Sequence, residues 1–89
     1  MLDLSEGLNL DAMDISEVRE FRLMPKAEIA RQLGIKPALA EALHIYAEHK
    51  VEAMRHRLNG AIPVALKYEA NCDRIYDNQI KGQCPEKLW

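Results

Sequence analysis

From Pro37 to Leu58 the chain meets no Gly and no second Pro, and its apolar residues return at helical spacing. That run constrains the fold more than any other feature. At about 100° per residue, Leu39, Ala40, Leu43, Tyr46, Ala47, Val51, Met54 and Leu58 fall on one broad side, while Glu41, His44, Glu48, Glu52, Arg55 and His56 fall on the other. Lys50 lies inside the apolar stripe, where its stem packs while the amine reaches water. A helix of more than about five turns with so wide an apolar side needs neighbours along its length.

Breakers on either side divide the rest. Asn59-Gly60 ends the long helix, and Pro63 opens another towards Ile80, with Val64, Tyr68, Cys72, Ile75 and Gln79 or Ile80 on one stripe. So short a link between amphipathic helices predicts an antiparallel hairpin. Upstream, Asp14 and Glu17 have the spacing of a capping box, Ile15, Val18 and Phe21 or Arg22 recur at one-turn spacing, and Pro25 stops that helix near Met24. A short helix from Pro25 to Leu33 follows, with Gly34 past its end and Ile35 pointing inward before Lys36-Pro37. Leu, Ala, Ile and Met supply most of the apolar 48%, and aromatic residues only 6%. The expectation is an all-α fold: three to four helices, with a corner followed by a long antiparallel helical hairpin.

Residues 14–81 form the expected single helical domain. Before it, residues 1–13 read as an acidic arm in which Leu2, Leu4, Leu8 and Leu10 alternate with polar residues around Gly7, loose until it packs on something. After it, residues 82–89 form a tail whose lone Trp89 is either pinned on the hairpin or free to bind elsewhere. A chain of 89 residues builds a modest core, so a partner chain is expected to complete it.

Charge and cysteine usage exclude several classes of function. No run of about 18 apolar residues spans a bilayer, and an acidic start is unlike a signal peptide, so a cytoplasmic protein with no membrane role is expected. Cys72 and Cys84 are too few and too far apart for a disulfide scaffold or a zinc site and read as free thiols. Glu41-x-x-His44, with Glu48, Glu52 and His56, has the letters of a helical metal site but lies opposite the apolar stripe, so a solvated charged face explains it. His49 lacks the partners of a nucleophile or general base, and there is no Gly-rich phosphate loop. Neither catalysis nor any metal or cofactor is expected.

Net charge is −2, unevenly spread. Residues 1–20 carry six acids against Arg19, residues 21–58 seven bases against four acids, and residues 59–89 four of each. A basic middle under an acidic arm is compatible with binding a polyanion.

Ile29-Ala30, Leu33-Gly34-Ile35, Ala40 and Leu43, within residues 28–46, resemble the helix-turn-helix of many bacterial and phage DNA-binding proteins. In that motif a small residue at Ala30 lets two helices cross, Gly34 takes the left-handed turn, and Leu33, Ile35 and Leu43 glue the corner. The resemblance implies a small DNA-binding regulatory protein. Arg22, Lys26, Arg31 and Lys36 would contact phosphates near the N-terminal ends of the two helices. A homodimer would then form through the hairpin, with Leu43, Met54, Leu58, Val64 and Ile75 as the self-association surface.

The recognition helix departs from the motif, offering only Lys36, Ala38, Glu41 and Ala42 to bases, with Glu48 and Glu52 set to oppose phosphates. A rival reading follows: a phage- or mobile-element-type interaction factor that docks on a larger host enzyme and inhibits or redirects it without binding DNA. Its acidic arm would imitate nucleic-acid charge and Trp89 would serve as an anchor. A continuous basic face around Lys26, Arg31 and Lys36 favours DNA; a mixed face does not.

Overall fold

The breakers fall where the helices end. A computed structural model of the chain describes residue 4 and residues 8–83: a 3-10 turn (Leu10–Ala12), α1 (Ile15–Leu23), α2 (Lys26–Leu33), α3 (Pro37–Leu58), α4 (Ile62–Ile75) and a π turn (Tyr76–Ile80). The fold is all-α, with no strand among the described residues.

Local chemistry sets each boundary. Asp14 accepts the Glu17 N–H at 2.9 Å while Glu17 accepts the Asp14 N–H at 3.2 Å, a complete capping box. Met24 turns to extended backbone ahead of Pro25, as a residue before proline prefers. Pro37 sits in the first turn of α3, where its missing N–H costs nothing. The last helix does not run unbroken to Ile80: beyond Ile75 it widens into the π turn, closed by Lys81 N–H donating to the Tyr76 carbonyl at 2.7 Å. That turn delivers Ile80 into the core, where it is fully buried.

α3 is the common partner of the other elements; α1, α2, α4 and the π turn all pack on it. Leu39, Ala40, Leu43, Tyr46, Ala47 and Val51 are buried, as the apolar stripe requires. So are Ala42 and Ala53, outside that stripe. With Tyr46, His49 and His56 they form a second line at i, i+4, i+7, i+11 and i+14, and that line faces α4. The buried Cys72 thiol donates to the Tyr46 carbonyl at 3.7 Å. Tyr68 stacks on His56 with ring centroids 5.6 Å apart and tilts over His49 at 5.9 Å.

Where it is described, the N-terminal arm packs on the domain. Leu4, Leu8 and Leu10 are buried in the same core as Phe21, Ile29 and Leu43, and Leu4 N–H reaches the Gln32 side-chain oxygen at 3.4 Å. Burial of these three leucines favours their packing on the domain. Among the described residues no helix is long and apolar enough to cross a membrane.

Candidate functional site

Two surfaces stand out, the α2–α3 corner and the far end of the α3–α4 hairpin. At the corner Gly34 has φ 66° and ψ 39°, the left-handed conformation that glycine adopts most cheaply. The N–H groups of Gly34 and Ile35 both turn back to the Ala30 carbonyl, and Ile35, Ala30 and Leu33 pack against the core. This is a Schellman-type helix end, with its apolar contact in place.

The corner cations are largely paired within the molecule. Lys26 reaches Glu41 at 3.5 Å, joining the start of α2 to α3. Arg31 grips Glu28 with two nitrogens, and Gln32 donates to the same carboxylate at 2.9 Å. Those bonds, Arg31 first, hold the Glu28 carboxyl down to about 2. Arg22 lies 4.0 Å from Glu48. Lys36, exposed at the head of α3, is the one of the four with no ion-pair partner among the described residues. Ala42 is buried and so cannot reach a base; Lys36, Ala38 and Glu41 are exposed.

His44 does not belong to a solvated charged face. It is half-buried, and its Nε2 donates to the Arg22 carbonyl, one of the last carbonyls of α1 that lack a helical partner. Arg19, Arg22, Leu23 and His44 together line a hollow of about 330 Å³. Among the described residues, no three or more His, Cys, Asp or Glu side chains are arranged to hold a metal.

The residues expected to form the self-association surface do not stay together. Leu43 is wholly buried, and Met54 and Ile75 are partly buried against the core, so these three serve mainly the monomer. Leu58 is 75% exposed and Val64 37%. Trp89 lies outside the described residues.

A different apolar surface forms at the hairpin end. Leu58 lines a nearly all-apolar hollow of about 350 Å³ with Ile15, Met54, Asp14 and Arg57. Ile62 and Leu66, 39% and 53% exposed, stand one turn apart on α4. Glu69 continues their line at i+7 and binds Arg57 through two hydrogen bonds of 2.9 and 2.8 Å, so that line borders the hollow. The Arg57 guanidinium also holds the Glu69 carboxyl below its ordinary range. Val64 lies one turn from Tyr68, on the opposite flank of α4. Ile62 and Leu66 were not among the expected partner-binding residues, although both fall off the stripe through Tyr68 and Cys72, which is a signal for apolar residues left outside the core.

Compared with known protein families, curated proteins and solved structures, the chain has no match.

Proposed function

We propose that this protein is an interaction module that binds another polypeptide chain through the apolar end of its hairpin, with the helix-turn-helix-like corner as a structural brace. One observation carries this reading: the charged side chains of the corner neutralise one another, while large apolar side chains stand exposed around an apolar hollow at the hairpin end. Arg22, Lys26, Arg31 and Lys36 face Glu28, Glu41 and Glu48, leaving a face with a single excess positive charge. Non-specific affinity for DNA comes from Lys and Arg side chains that displace the counterions condensed on the phosphates, and such a mixed face gains little of it. Exposed apolar patches rimmed by polar residues mark contact surfaces between proteins.

The test is a gel shift of mixed-sequence duplex at low and moderate salt. The proposal expects no retardation, because even non-specific binders hold DNA when salt is scarce. Retardation that Lys36→Ala weakens would overturn it.

DNA binding through the corner is the second reading. What favours it is the left-handed Gly34 turn leading directly to an exposed Lys36 at the head of α3, where free amides also favour anions. The same gel shift decides between the two.

A further inference from the structure

We infer that the chain bound at the hairpin end is a second copy of this protein, related to the first by a two-fold axis. The inference rests on the interaction reading and names the partner of that surface.

The patch carries both halves of a self-complementary contact. Leu58, Ile62 and Leu66 project from it, while the hollow beside them, walled by Ile15 and Met54, is an apolar recess of about 350 Å³. In a two-fold contact the same patch serves both partners, so a projection on each copy can enter the recess of the other. A chemically different partner would have to supply both features anew; a second copy already has them.

Electrostatics agree. Arg57 and Glu69 neutralise each other at the rim, and the Asp14 carboxylate is engaged in capping α1. That leaves the capping Asp14 carboxylate as the one uncompensated formal charge of these three residues, partly offset by the amides at the head of α1, and across the axis Arg57 can also meet the partner's Glu69. A partner recruited by charge would need a stronger bias than this single carboxylate.

Area sets the strength. The three exposed side chains offer on the order of 300 Å² of apolar surface per copy, the size at which a monomer's largest patch is often functional. Two such patches make roughly 600 Å² of apolar surface, and polar rims of about the same extent would bring the contact only to the low end of specific interfaces, roughly 1,200 Å². A weak, reversible dimer follows.

Sedimentation of the full chain over roughly 1 to 500 µM tests this. The mass should rise with concentration from 10.2 kDa towards twice that value. Leu58→Asp and Leu66→Asp should each weaken association by about tenfold or more, with helical circular dichroism unchanged, since both side chains are exposed. Leu23→Asp, at the other end of α1 and 84% exposed, should leave association unaltered. Methyl NMR on dilution gives an independent reading: Ile15, Met54, Leu58, Ile62 and Leu66 should shift while Leu23 and Val64 stay still. A monomer throughout the range, a dimer indifferent to both aspartates, or shifts centred on Leu23 or Val64 would each overturn the inference. A monomer that retards no duplex removes the second copy and leaves the interaction reading standing; a duplex retarded in a way that Lys36→Ala weakens removes that reading whatever the mass.

Discussion

Gly34 offers a test of the corner in which packing and backbone effects separate cleanly. Its φ of 66° lies in the left-handed region, and a Cβ built there meets nothing within 4 Å. Any cost of a side chain at this position is therefore a backbone cost. For alanine the left-handed conformation costs about 1 to 2 kcal/mol, offset by roughly 0.5 kcal/mol because the unfolded chain loses freedom, which leaves about 1 kcal/mol. Valine, β-branched, should cost about 2 to 3 kcal/mol, and asparagine, which tolerates this region, well under 1 kcal/mol. In a domain of this size 1 kcal/mol moves the melting temperature by about 4 to 8 °C. Melting curves followed by circular dichroism should therefore rank the variants glycine, asparagine, alanine, valine in falling order. An alanine variant melting within about 2 °C of the parent would show that the turn is not left-handed in solution. Asparagine as damaging as valine would show that space, not handedness, limits the site.

Other expectations follow from single contacts. Leu10→Ala should destabilise by about 2 to 4 kcal/mol in urea unfolding, because Leu10 is wholly buried in the shared core. His44→Ala should cost about 1 kcal/mol, from the lost hydrogen bond to the Arg22 carbonyl, seen as earlier fraying of the last turn of α1 in amide exchange. Ala42→Leu should cost about 1 to 3 kcal/mol through overpacking on the buried side of α3, where an exposed alanine would tolerate the change. Glu28 titrates in the folded state at about 2, below its ordinary 4.5, so the stability it contributes is complete above about 4.5 and is lost as pH falls through about 2. Comparing acid unfolding of the parent and Glu28→Gln should show that component absent from the variant.

The helix boundaries were legible because they are written in local chemistry. Asp14 with Glu17, Pro25, Gly34, Pro37 and Asn59-Gly60 each fix a start or stop within a few residues of themselves. The second buried line of α3 was hidden because alanine and histidine carry little apolar signal. Ala42 and Ala53 are buried by the closeness of α4, which no window on α3 reveals. The cations of the corner and of the hairpin end were legible as residues but not as pairs. Glu41 stands fifteen positions from Lys26 and Glu69 twelve from Arg57, so only the packed helices bring them together. What the arm packs on was hidden for a similar reason: alternating leucines and acids suit a solvated segment as well as one laid over a core, and only the fold places Leu4, Leu8 and Leu10 with Phe21, Ile29 and Leu43.

Because α1, α2 and α4 find their main partner in α3, and the π turn rests on α3 and α4 together, none of them has a core to rest on until α3 exists. The order of events during folding follows from that geometry. The sequence neighbours α2–α3 and α3–α4 meet across short links, so the central assembly should form quickly, as low-contact-order helical domains do. Closing the Leu4–Gln32 contact and seating Ile80 span longer stretches of chain and come later. On the ribosome the first two helices would have to wait for α3 to emerge before they find a core to pack on. Amide protons in the middle of α3 should then exchange only when the whole molecule opens, and their rates should report a single global unfolding reaction.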